Sequence, residues 1–243
     1  MKKEKRQLIQ FKLENKEDFI VYLNELISRL DRCIVKHKRF LEELKIFIYD
    51  QKLKNEGIDL SKIRISEDVY HRFLSMLSGI EFYEINLVGD GQSSSISYFK
   101  LRSIIEKRTR KGTLQFKMRE LDEDYQSELL EFNLLRNWFN HVPESLLTAQ
   151  IELIKKEELP KLSLNPIEIT YFNYCSLEYV EDMYNQSFTL YNGIRKAHQN
   201  MKKDYSFLLG EKVEIKRIYS DKILQVDNMS VAKLSSEIQG LSK

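Results

Sequence analysis

Residues 16–47 read KEDFIVYLNELISRLDRCIVKHKRFLEELKIF, and the spacing of their apolar side chains decides the fold class. Phe19, Leu23, Leu26, Leu30, Cys33, His37, Phe40, Leu44 and Phe47 recur in alternating steps of four and three. That spacing keeps one stripe of a 3.6-residue helix turned toward a partner, as in a coiled-coil seam. Asn15 stands where a helix cap belongs, and Glu17 and Asp18 place negative charge in the first turn. Gly57 follows the polar end of the run. The expected helix spans about 16–55. A second seam runs through Leu177, Val180, Tyr184, Ser187, Tyr191, Ile194, His198, Met201, Tyr205 and Leu208, and Gly210 closes it. It predicts a helix over about 176–209. Two helices of matched period and similar length pack side by side, within one chain or between two copies.

Composition agrees with a helical protein. Three prolines and eight glycines in 243 residues leave few turn formers, and 42% hydrophobic residues suffice for a core. Thirty-nine basic against 37 acidic residues give a net charge of +2, so any nucleic-acid surface must be local. Cys33 and Cys175 give no disulfide framework and fit a reducing compartment. The basic start, residues 1–6, is followed by no apolar signal core, and no stretch has the length of a membrane span. The expectation is a cytoplasmic protein.

Between the seams the pattern predicts four shorter helices. One starts at Ser66 and reaches about Leu87. The loop Gly89-Asp90-Gly91-Gln92-Ser93-Ser94-Ser95 follows it, without the ending or the preceding strand of a phosphate-binding loop. Further helices are expected at about 96–109, 114–139 and 143–158, the last with Pro143 in its first turn. Pro160 and Pro166 bracket a linker. Residues 213–219 alternate like a short strand, so a β-hairpin is allowed near 211–220, and a last helix covers about 228–239. The expected architecture is all-α: a single domain over 1–243, a helical bundle with two long heptad-patterned helices.

The most definite chemistry lies in Arg136-Asn137-Trp138-Phe139-Asn140-His141. Helical offsets of four, seven and eleven place Arg136 close to the azimuth of Phe132, Leu129 and Tyr125. A permanent cation on that apolar face needs a partner or a cleft. Pro143 disfavours helix just upstream, and a break there frees His141 to turn back toward Arg136. The alternative is structural: Arg136 pairs with Glu131 or another acid and His141 ends the helix. Arg32 and His37 show the same bare spacing, but mid-helix and with Cys33 after the arginine, so His37 reads as a seam residue. Cys33 and His37 also stand four apart, as metal ligands can, but two further ligands are not evident and core packing is the preferred reading.

Arg136-Asn137-x-x-x-His141 resembles the R-x4-6-H motif of the HEPN superfamily, in its RN-x3-H form. The resemblance is specific over about 114–158 and implies a HEPN-like core over about 66–160. The long N-terminal helix and the C-terminal helical region, about 170–243, would elaborate it. Members are small all-α domains, many of them metal-independent endoribonucleases of toxin–antitoxin and antiviral defence systems. The resemblance implies Arg136 and His141 as catalytic residues, Asn137 as their support, and RNA as substrate, with no cofactor or metal. It also implies a homodimer and an antitoxin or regulatory partner. The alternative function is a non-catalytic helical scaffold or a HEPN-fold binding module.

Arg102, Lys107, Arg108, Arg110 and Lys111 belong to a basic run just before the motif helix and are the candidate RNA-binding residues. An acidic run follows, from Glu120 to Glu131. The aromatic residues of 171–191 suit base stacking, but their helical spacing favours a core or interface.

Overall fold

The computed structural model describes residues 11–140, 147–148, 151–152, 155–156 and 174–216. The protein is mostly helical (75%), with five helices and one two-stranded antiparallel sheet among the described residues. Helix α1 spans Lys16–Lys54, α2 Glu67–Gly89, α3 Tyr98–Arg110, α4 Glu123–Asn140 and α5 Leu177–Leu209. A 3₁₀ turn, Leu60–Lys62, and strand β1, Arg64–Ser66, lie between α1 and α2. Strand β2, Tyr174–Ser176, leads straight into α5. Two compact units divide the chain at Met1–Lys212 and Val213–Lys243. Of the second, only 213–216 are described, and they carry no helix or strand.

Helix α1 begins where its cap stands. The Asn15 side chain accepts from the Asp18 amide, and the Asp18 carboxylate accepts from the Asn15 amide, both at 3.0 Å, so two orphan donors are satisfied. Gly210 ends α5 with φ +79, a conformation glycine adopts without a Cβ penalty. The two long helices pack against each other and run antiparallel. Asn24 bonds Tyr205, His37 bonds Ser187 and Lys52 bonds Glu181, so positions rise on α1 as they fall on α5. Their seams are buried as the period predicts. Leu23, Leu26, Leu30, Leu44, Leu177, Val180, Ile194 and Met201 are wholly inaccessible.

The apolar interior forms two clusters along α1. One joins Phe19–Cys33 to α3, α4 and the C-terminal half of α5. The other joins Phe40–Ile48 to β1, the start of α2 and the start of α5. His37 sits between them. Its Nδ1 is 2.7 Å from Glu84 Oε2 and its Nε2 2.8 Å from Ser187 Oγ, so one buried imidazole ties α1, α2 and α5 together. This is the seam role that the sequence reading gave His37.

Two local expectations change. The fourth helix does not start at 114: residues 113–122 carry no helix, and α4 begins at Glu123 after Asp122 caps it through the Tyr125 amide at 2.8 Å. Leu114, Phe116, Met118 and Leu121 do turn toward the core, but from an irregular strap tied down by Arg119. Residues 211–216 of the suggested hairpin form no strand, and 217–220 lie outside the described residues. The sheet pairs Ile65 with Cys175 instead, with the Arg64 guanidinium 4.5 Å from the Tyr174 ring centre. Of the expected fifth helix, 147–148 and 151–152 are helical and most of the rest lies outside the described residues, as do Pro160–Pro166 and the helix at 228–239. Among the described residues no helix is long and apolar enough to cross a membrane.

Candidate functional site

The Arg136 site is built where the end of α2 meets α4. Helix α4 turns Tyr125, Leu129, Phe132 and Arg136 inward, all buried, on the shared azimuth that their spacing predicts. The close approach needs a glycine. A Cβ on Gly89 would stand 2.3 Å from the Phe132 carbonyl oxygen and 2.9 Å from the Asn133 nitrogen. With hydrogen there instead, Asn133 Nδ2 donates to the Gly89 carbonyl at 2.7 Å and satisfies an orphan acceptor of the helix end.

This contact sets Arg136 against three polar groups. Its Nη2 lies 3.2 Å from Asp90 Oδ1, its Nε 3.4 Å from Asn86 Oδ1 and its Nη1 3.3 Å from Asn137 Oδ1. Arg136 is 7% exposed and Asp90 5%. Asp90 is itself held: its Oδ1 accepts the Gln92 amide at 2.9 Å, and its carbonyl accepts the Ser97 hydroxyl. Ser97 in turn is bound by Tyr22, whose phenol burial pushes up to about 12. The acid that partners Arg136 is therefore Asp90, from the α2–α3 loop, and not Glu131, which is exposed. Asn137 is exposed beside the guanidinium. His141 follows directly after α4 in the chain and lies outside the described residues.

The basic run divides. Lys107, Arg110 and Lys111 are exposed at the end of α3, with Glu106 3.6 Å from Arg110. Arg108 is half-buried with its guanidinium 5.8 Å from the Phe19 ring centre. Arg102 is placed differently from the exposed cations. It is 9% exposed, donates to the Arg119 carbonyl at 2.9 Å and lies 3.5 Å from Asp204. Its guanidinium is tied to a buried carboxylate and helps to hold the fold.

Two buried polar clusters escaped the sequence reading. In the first, Ser187, His37 and Glu84 line up as hydroxyl, imidazole and carboxylate, at 2.8 and 2.7 Å. That order is the geometry of an activated nucleophile. However, the three side chains are at most 2% exposed, so no substrate reaches Ser187 and the cluster serves as an interhelical lock. In the second, Asp204 accepts from Tyr98 at 2.6 Å and from Arg119 at 2.9 Å. The sequence showed His37 and Ser187 as seam positions but not their contact, because pairing across 150 residues has no local signature.

No protein-family model, curated protein or solved structure matches this chain.

Proposed function

We propose that the protein is a HEPN-like, metal-independent endoribonuclease in which Arg136 and His141 carry the reaction and Asn137 supports them. The observation that supports this reading best is the anion already seated on Arg136. A carboxylate oxygen stands 3.2 Å from Nη2, where a phosphate oxygen would bind, with the Asn137 amide oxygen beside it. Asn86 and Asn137 hold the guanidinium in place, and a phosphate that displaces the Asp90 carboxylate meets the same planar donor on Arg136. In the reaction the RNA 2′-oxygen attacks phosphorus and the bond to the 5′-oxygen breaks. One proton leaves the 2′-hydroxyl for a base and one reaches the departing oxygen. An imidazole such as His141 exchanges protons at working pH. The products are a 2′,3′-cyclic phosphate and a 5′-hydroxyl. Lys107, Arg110 and Lys111 are the surface cations proposed to hold the RNA backbone. A homodimer and an antitoxin-like or regulatory partner belong to the same proposal.

A specific observation favours a second reading, a helical interaction protein. Leu130, Leu134 and Trp138 form an exposed stripe on α4 at 52%, 57% and 53%, and the Arg136–Asp90 pair is buried as a structural pair would be. The experiment expresses wild type, Arg136→Ala, Arg136→Lys and His141→Ala, and follows growth and RNA cleavage with chelator present. Wild type cleaves, and loss of either reacting side chain lowers the rate by about 100-fold or more at unchanged helicity. Arg136→Lys keeps a cation near Asp90 and still loses most of the rate, because the fork is gone. Equal activity in the folded variants, or activity abolished by the chelator, rejects the catalytic reading.

A further inference from the structure

We infer that the groove between α1 and α5 is a stacking platform for single-stranded nucleic acid, which on the ribonuclease reading is the RNA substrate. The groove lies on the side of α5 turned away from α4. Gly193 is the α5 residue that faces the Phe132 ring, and Tyr191 and Arg195, two positions to either side, point about 200° round the helix from it. The inference rests on the ribonuclease reading for what the contact serves, whereas the binding follows from the groove itself.

Helical spacing builds the platform. Tyr184, Phe188, Tyr191 and Arg195 recur in steps of four, three and four, which makes them one stripe of α5. The Phe188 ring lies 6.0 Å from that of Tyr184 at an interplanar angle of 13°, and 6.4 Å from that of Tyr191 at 29°. The three rings therefore run nearly parallel. Tyr191 is buried and meets His37 edge-on at 5.2 Å, which fixes the inner end of the row. Phe188 is 44% exposed. Core packing accounts for Tyr191 and not for the exposed part of Phe188. The cleft between this stripe and Leu41 of α1 holds about 260 Å³. Whole small-molecule sites occupy roughly 300–1,000 Å³, so the cleft suits a base of a strand that continues along the groove.

The charge along the groove favours a polyanion. Lys38, Lys45 and Arg195 line it against one carboxylate, Glu42. Glu42 lies 3.6 Å from Lys38. Lys45 and Arg195 are exposed and make no ion pair among the described residues. The Arg195 guanidinium stands 5.7 Å from the Tyr191 ring centre, so one of the two cations sits directly beside the row of rings. Rings for unpaired bases and unneutralised cations for the phosphates between them are what a single strand needs.

The same charges disfavour other occupants. A second copy docking through this face about a two-fold axis would bring Lys45 and Arg195 toward their own counterparts. Lysine is also depleted from the cores of protein interfaces. A duplex has its bases already stacked on one another and leaves the rings no base face to cover along its length.

The test follows the fluorescence anisotropy of a labelled 2′-O-methyl oligoadenylate of about 10 nucleotides, within the roughly 4–16 that one single-strand site covers. This probe lacks the attacking 2′-hydroxyl and stays whole whether or not the protein cleaves RNA. Wild type is expected to bind it saturably, and more tightly than the same strand annealed to its complement. Phe188→Leu keeps an apolar side chain and removes the ring. It is expected to weaken binding by about tenfold at unchanged helicity, as the loss of one stacked base does. Lys45→Gln combined with Arg195→Gln is expected to lower the slope of log affinity against log salt by up to about 1.4, the share of two phosphate contacts on a single strand. No binding by wild type overturns the proposal. So do wild-type affinity in folded Phe188→Leu, an unchanged salt slope in the double variant, and equal binding of strand and duplex. Self-association that Phe188→Leu abolishes, with no binding of the probe, assigns the groove to a second copy and overturns it as well. RNA cleavage by wild type together with unchanged probe binding in Phe188→Leu leaves the ribonuclease reading standing and removes this one.

Discussion

Gly89 carries more of the candidate site than any charged residue in it, because it has no side chain. Phe132 is wedged between two glycines: its backbone meets Gly89, and a Cβ on Gly193 would lie 3.1 Å from its ring. A methyl group at Gly89 would therefore push α4 off the end of α2 and pull Arg136 away from Asn86 and Asp90. Gly79, ten residues earlier on the same helix, has nothing within 4 Å of the same construction. The pair gives an internal control. Gly89→Ala is expected to lower stability by about 1–3 kcal/mol, as overpacking does. Gly79→Ala is expected to raise it by about 0.5–1 kcal/mol through the helical preference of alanine. Urea denaturation of both variants checks this. Equal shifts of one sign would mean that the α2–α4 contact yields without cost. In the sequence Gly89 was read only as the start of a loop, since a close approach to α4 is a fact about another helix.

At the scale of elements, the long helices were legible and the strap was not. The α1 and α5 seams announce themselves over nine and ten positions, and burial follows them because each helix is long enough to dominate its own packing. The helix ends were legible where a chemical signal stood alone, as at Asn15 and Gly210. Residues 114–122 have equally good helical spacing and no helix. What outweighs the period is tertiary: Arg119 reaches Asp204 and Asn200 on α5, and Phe116 stacks edge-on against Phe19 at 5.1 Å. Those partners lie 85 and 97 positions away, beyond any local pattern. The same distance problem hid Asp90, which the sequence showed only as a loop residue. The burial of Arg136, by contrast, was readable from its azimuth. If Arg119 is the tether, Arg119→Met removes one of two cations from a buried carboxylate and unpins the strap. Because Arg102 and Tyr98 still face Asp204, the cost stays below the about 3–5 kcal/mol of leaving a buried charge wholly unpaired. Backbone amides of 113–122 should then exchange hydrogen much faster while those of α5 keep their protection. Uniform acceleration across both would show that the strap has no independent anchoring.

For the whole molecule, the buried titratable groups set how stability responds to pH, and they pull in opposite directions. Burial raises Glu81 and Glu84 above the 4.5 of a free glutamate, although hydrogen bonds from Ser187 and His37 hold part of that rise back. A carboxyl raised by folding binds its proton more tightly in the native state. The stability it contributes is complete below 4.5 and is lost as pH rises through the folded value. His198 behaves in the reverse sense. Burial, then the Lys202 charge, lower it below 6.5 despite Asp31 and the Ile27 carbonyl. Its contribution is present above 6.5 and is lost as pH falls through the folded value. Between 4.5 and 6.5 the slopes oppose each other, so each masks part of the other in the wild-type curve. Removing one side exposes the other. Glu81→Gln should be more stable than wild type at neutral pH, with the advantage shrinking on acidification, and His198→Gln should gain relative to wild type as pH falls. Each slope is bounded by about 1.4 kcal/mol per pH unit for one proton. Urea midpoints across this range measure both differences. Curves that stay parallel to wild type would mean that these groups titrate alike in the folded and unfolded chain, and that the polar layer around His37 holds the bundle by hydrogen bonding alone.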